Sequence, residues 1–129
     1  MENVSFEDLI SKSDIISFHC KAPKDGKPII TKEHYKKMKP TSYIINAARG
    51  IIVDEKDLND ALNENLIAGA AVDVFSKEPA KENTLFNNPK VIVTPHIAAS
   101  TKEASIVVAE MVANQLSDFL LKGVKINTV

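Results

Sequence analysis

The chain has no tryptophan, a single cysteine and only four glycines in 129 residues. A lone Cys20 rules out an internal disulfide and fits a reducing compartment. In position it reads as a half-buried structural thiol. The glycines, Gly26, Gly50, Gly69 and Gly123, fall at no spacing that makes a G-x-G-x-x-G loop, the turn that holds a pyrophosphate at a helix N-terminus. Charge of one sign is missing too. With 16 basic and 17 acidic residues interspersed and a net charge of −1, there is no basic stripe for nucleic acid and no polybasic patch for a membrane surface. No apolar run approaches the roughly 20 residues of a membrane span, so a soluble protein is expected. The start, Met1-Glu2-Asn3, shows no basic segment followed by an apolar one, and a cytoplasmic setting is the expectation. Three histidines and one cysteine show no ligand spacing such as H-x₃-H or C-x₂-C, so no metal site is expected.

What is present suits one compact unit. A chain of this length with 44% apolar residues can bury roughly two-thirds of its unfolded surface, enough for one core. Helical and strand patterns alternate along it. Ser5 to Lys12 reads as a helix with Ser5 as N-cap and Asp8 three residues on. Asp14 to His19 reads as a strand whose Ile15, Ile16 and Phe18 form the near-continuous apolar run of a buried parallel strand. Cys20 to Pro28 is a loop, Thr31 to Met38 a helix stopped by Pro40, and Tyr43 to Asn46 the second strand. Asp54 to Asn63 is a helix with Leu58, Ala61 and Leu62 on one face. Ala68 to Val72 and Val91 to Val93 are the third and fourth strands, separated by a proline-bounded loop over Ser76 to Pro89. The last helix begins at Ser100 with Glu103 completing a capping box, ends near Leu121, and stops at Gly123. Its stripe of Ala104, Val107, Val108, Met111, Val112, Leu116, Phe119 and Leu120 fits either an interface or core, and core is the favoured reading. The pattern predicts an α/β fold, a partial Rossmann-like doubly wound parallel sheet of about four strands with flanking helices. The first strand then has an open edge, which is expected to pair with another chain or to be covered by a terminal segment.

Of the 16 basic residues only Arg49 is an arginine. Guanidinium grips a carboxylate through two parallel hydrogen bonds, so Arg49 reads as a carboxylate anchor. A surface ion pair is the plainer reading, and context decides between them. Glu78 and His96 both follow strand-like runs, and residues beyond the carboxyl ends of parallel strands meet in one crevice. A carboxylate clamp, an acid and an imidazole suit proton transfer on a small hydroxy or oxo acid. His96 taken alone could equally hydrogen-bond a backbone carbonyl, and Glu78 could be a solvated loop carboxylate beside Lys77, Lys81 and Glu82. His34, on a lysine-rich helix, reads as surface.

The order Ser13-Asp14-Ile15-Ile16-Ser17-Phe18-His19, Asn46-Ala47-Ala48-Arg49-Gly50, Asp73-Val74-Phe75 with Glu78-Pro79, and Thr94-Pro95-His96-Ile97 resembles the D-isomer-specific 2-hydroxyacid dehydrogenases, nearest their phosphoglycerate-oxidising branch. The likeness runs from about Val4 to the carboxyl end, and the ordered motifs make it specific. It implies a NAD-dependent oxidoreductase acting on the CH–OH group of D-2-hydroxy acids. Carried over by position, Arg49 is the substrate-carboxylate anchor, Glu78 the partner of the catalytic histidine, and His96 the general acid/base. Asp73 falls on the nicotinamide side of the cofactor. His19, Ala47, Ala98 and Ala99 fall beside the cofactor, with no chemistry assigned to His19.

The departures from that pattern are as specific as the matches. Cys20-Lys21 follows His19 where the family has x-Pro, and Ala98-Ala99 replaces a common pair of glycines, adding methyl groups near the backbone. By comparison the chain corresponds to the second half of a NAD-binding domain plus a closing helix, without the glycine-rich half and the substrate domain. Weak or absent NAD binding and no activity are expected for it alone. The competing expectation is a non-catalytic half-domain: an interaction module, a remnant, or one chain of a split dehydrogenase. Either way the partner is a second copy or a chain supplying the missing half.

Overall fold

The computed structural model describes residues 2–127, which fall into two compact units divided between His96 and Ile97. In the first unit the chain runs α1 (Phe6–Lys12), β1 (Ile15–Phe18), α2 (Lys32–Tyr35), β2 (Tyr43–Asn46), a 3₁₀ turn over Gly50–Ile52, α3 (Glu55–Asn63), β3 (Gly69–Val72) and β4 (Val91–Val93). The second holds α4 (Lys102–Lys122). The strands make one parallel sheet in the order β1-β2-β3-β4, so β1 is an edge strand, as expected.

Local signals account for most element ends. The Ser5 hydroxyl accepts from the Asp8 amide and starts α1. Asp54 does the same for Asp57 and starts α3, which buries Leu58, Ala61 and Leu62. Helix α4 ends at Gly123, whose φ of 67° is the left-handed cap that glycine takes without a Cβ clash.

The strand register separates two faces. Ile16, Ile44 and Ala70 lie in one row and Phe18, Asn46 and Val72 in the next, all buried against the helices. On the other face, Ile15 aligns with Tyr43 and Gly69, and Ser17 with Ile45, Ala71 and Ile92. There Ile15 is 60% exposed and Ile92 71%.

Three expectations need correction. The second helix covers Lys32–Tyr35 and not Thr31 to Met38. It loosens into tighter turns, with Lys37 N–H donating to His34 O and Met38 N–H to Tyr35 O, because Pro40 bars Lys39 from the α region. The cap of α4 is Thr101, whose hydroxyl accepts from the Ala104 amide, one residue later than Ser100. None of the residues of α4 is buried, so its apolar stripe is not core. The helix is also 21 residues long with a mean hydropathy of 1.3 over an 18-residue window, long and apolar enough by length and composition to cross a membrane. A scan for unbroken apolar runs misses this, because Glu110 and Asp118 interrupt the run without lowering the mean far.

Candidate active site

The loops at the carboxyl ends of the strands carry the predicted residues. The ladder between β3 and β4 continues beyond the strands, where Thr94 N–H donates to Val72 O at 3.0 Å and His96 N–H to Asp73 O at 2.8 Å. His96 then takes a φ of 56°, in the left-handed region. Its Nδ1 meets Glu78 Oε2 at 2.7 Å, the pair expected from sequence. The other Glu78 oxygen accepts from the Phe75 amide at 2.9 Å. That amide, and after it His96, hold the Glu78 carboxyl below the ordinary glutamate range. The carboxylate is thus ionised and fixed at both oxygens, so Nδ1 carries the proton it accepts, and Nε2 is the nitrogen left for chemistry.

Beside this pair lies a recess of about 520 Å³, walled by Phe75, Pro79, Phe86, Val93 and Pro95. Phe75 and Phe86 meet edge to face at 5.5 Å. Asp73 is buried at the end of β3 and accepts from the Thr94 hydroxyl. The intervening loop is anchored to α3 through Glu55, which accepts from the Ser76 amide at 2.7 Å and the Asn83 side chain at 2.8 Å.

Arg49 sits in a second recess, of about 350 Å³, with His19, Cys20, Lys21, Ala22, Ala47 and Ala48. Asn46, buried at the end of β2, shapes the turn by donating to Arg49 O and accepting from the Ala48 amide. Gly50 joins the two recesses. A Cβ on it would lie 2.0 Å from the Phe75 carbonyl carbon, so the turn bearing Arg49 and the loop bearing Glu78 touch backbone to backbone. Among the described residues no hydrogen bond or ion pair links Arg49 to Glu78 or His96, and the guanidinium donates to Ala48 O at 2.7 Å. The surface ion-pair reading of Arg49 therefore has no partner among them. His19 Nε2 is 2.9 Å from the Ser17 hydroxyl. Ala98 and Ala99 lie in the second unit.

Two further expectations are corrected. Cys20 is exposed, not half-buried, because the strand ends two residues before it. His34 is part-buried: its Nδ1 accepts from the Thr31 amide at 3.1 Å, and its ring meets Phe6 edge to face at 5.4 Å. Thr94, Asn46 and Gly50 stand in the motifs without a role assigned from sequence, and Glu55 was not singled out. Gly50 and Asn46 carried a signal, a glycine and a polar residue closing an apolar strand, whereas Glu55 carried none.

The first 98 residues match the family model of the D-isomer specific 2-hydroxyacid dehydrogenase NAD binding domain. The chain belongs to this family. Its fold is the family's Rossmann-like α/β fold, and the matched domain is the one that binds NAD. Over 115 residues it is 44% identical to D-3-phosphoglycerate dehydrogenase of Bacillus subtilis (strain 168), covering 89% of this chain and 22% of that protein. Over 126 residues it is 45% identical to glyoxylate reductase of Thermofilum pendens (strain DSM 2475 / Hrk 5), covering 95% and 36%. D-lactate dehydrogenase with NAD+ from Lactobacillus jensenii superposes with a TM-score of 0.83 at 30% identity, over 98% of this chain and 42% of that one. The chain thus spans well under half the length of these relatives.

Proposed function

We propose that this chain is the catalytic-residue half of a NAD-dependent D-2-hydroxyacid dehydrogenase, with a D-3-phosphoglycerate dehydrogenase-like substrate range. The observation that carries the proposal is the Glu78–His96 pair, with one imidazole nitrogen committed to a fixed carboxylate and the other left over beside a recess. A bound nicotinamide would supply the hydride acceptor for C2 of the hydroxy acid. His96 Nε2 takes the hydroxyl proton as the C2–O bond becomes a carbonyl, and Glu78 stabilises the resulting imidazolium. In the reverse direction His96 returns that proton to the oxygen. Arg49 clamps the substrate carboxylate and so orients C2.

The residues fit one end of the cofactor. The Arg49 recess has small walls at Ala47 and Ala48 and lies at the carboxyl ends of β1 and β2. His19 and Ala47 line that recess, whereas Asp73, Ala98 and Ala99 take their cofactor role from the family pattern alone. These 129 residues hold no glycine loop for the pyrophosphate, so turnover by them requires that half of the cofactor domain from elsewhere, with a second copy or another chain as the partner to test. The exposed apolar residues Ile15, Tyr43 and Ile92 favour such an association.

A chimera tests this. The matching segment of the Thermofilum pendens glyoxylate reductase is replaced by this chain, and NADH oxidation is followed with glyoxylate, hydroxypyruvate and phosphohydroxypyruvate. The folded chimera is expected to turn over, His96→Ala to lower kcat about 10²- to 10⁴-fold, and Arg49→Lys mainly to raise KM. The chain alone is expected to give no rate above its Arg49→Ala variant. A folded chimera indifferent to His96→Ala sinks the acid/base assignment, and turnover by the chain alone sinks the half-site.

A further inference from the structure

Lys21 stands where the family pattern has proline, and it lines the same recess as Arg49. Among the described residues neither cation makes an ion pair, and no aspartate or glutamate lines the recess. The remaining lining, His19, Cys20 and three alanines, contributes no negative charge. The loop that carries Lys21 adds Lys24 and Lys27, while its one acid, Asp25, accepts from the Lys27 amide at 3.1 Å in a turn. Elsewhere in the chain lysines have found acids: Lys32 with Glu64, Lys37 with Glu7, and Lys39 with Asp14. A concave surface that gathers two cations and leaves both without a counterion is built for an anion carrying more than one negative charge.

We propose that Lys21 makes this recess a phosphate-binding recess, with Arg49 taking a carboxylate or one phosphate oxygen and Lys21 a phosphate. The inference rests on the proposed reading of Arg49 as the carboxylate anchor and adds a specificity residue to it. The phosphate is supplied by the acid substrate or by the dinucleotide, and both sources present the same chemistry to Lys21. Lysine meets phosphate as a compact point charge and needs no fixed fork geometry, which suits a residue on a loop. The relatives named glyoxylate reductase and D-3-phosphoglycerate dehydrogenase differ in whether the named substrate carries a phosphate, which is the distinction Lys21 would make.

The experiment is an NMR titration of the full chain with D-glycerate, D-3-phosphoglycerate, ADP and inorganic phosphate, following the backbone amides of residues 19–22 and 47–49. D-3-phosphoglycerate or ADP is expected to bind about tenfold more tightly than D-glycerate or inorganic phosphate. Lys21→Gln should remove that advantage and leave D-glycerate binding unchanged, and the advantage should shrink as salt is raised. An advantage confined to D-3-phosphoglycerate assigns the phosphate to the substrate, and one confined to ADP assigns it to the cofactor. Equal affinity for all probes, or a preference that survives Lys21→Gln, overturns the proposal. Arg49→Gln that leaves D-glycerate binding unchanged overturns the carboxylate anchor and leaves the Lys21 test intact.

Discussion

The two faces of the sheet are made of the same kind of residue and have opposite fates. Ile16, Ile44 and Phe18 are buried against the helices, whereas Ile15, Tyr43 and Ile92, one register position away, are exposed. Parallel sheets are built to be covered on both faces. The difference shows that the apolar run of a strand reports how many covers a sheet is made for, not how many the described residues supply. The Tyr43 ring makes a partial cover of its own, lying where a Cβ on Gly69 would come within 3.0 Å of it.

Truncation gives the sharpest contrast. Ile44→Ala on the sealed face should cost about 3–4 kcal/mol of unfolding free energy by urea denaturation, since the removed methyl groups leave a cavity. Ile92→Ala on the open face should cost under about 1 kcal/mol in dilute solution. A cost at Ile92 that grows with protein concentration would mean that a second copy covers the open face, and equal costs at the two sites would erase the contrast. A smaller effect comes from inside the sealed side. The Tyr35 hydroxyl is buried without a hydrogen-bond partner among the described residues, and burial pushes its ionisation upward. Tyr35→Phe should therefore stabilise the protein by about 1 kcal/mol by the same measurement, because an orphaned polar group costs more than its loss.

The smallest effect lies at the rim. The Glu78 carboxyl is held below its ordinary range by the Phe75 amide and then by His96. Its contribution is present above the unfolded value, about pH 4.3, and is lost as pH falls through the depressed folded value. Hydrogen exchange at the Phe75 amide should accelerate across that acid window in the wild type, and be fast and flat with pH in Glu78→Gln once intrinsic exchange is divided out. The same acid response in both would place the cause elsewhere.

Much of this architecture was legible because it is written in local chemistry. Strand β2 and helix α3 were read nearly to the residue, since Asp54 caps the helix and Leu58, Ala61 and Leu62 mark its buried side. The Glu78–His96 pair was legible in outline from the places of both residues beyond strand-like runs, and in its roles through a resemblance in ordered motifs. The anchoring of the Glu78 loop by Glu55 was not, because the two segments are 21 residues apart and a glutamate in the first turn of a helix looks like ordinary dipole compensation. The fate of α4 was missed for another reason. An apolar stripe shows that a helix is made for a partner and says nothing of which surface provides it.

His96 carries a further consequence through its φ of 56°, a conformation that most side chains adopt only at a cost and that glycine and asparagine take readily. In that conformation the imidazole Nδ1 lies 2.7 Å from Glu78 Oε2. A library of variants sorted for thermal resistance alone would drift toward glycine or asparagine at position 96, while one sorted for turnover in the chimera would, under the proposed acid/base role, hold histidine there. The divergence between two such libraries would single out this position as one where robustness and chemistry pull apart.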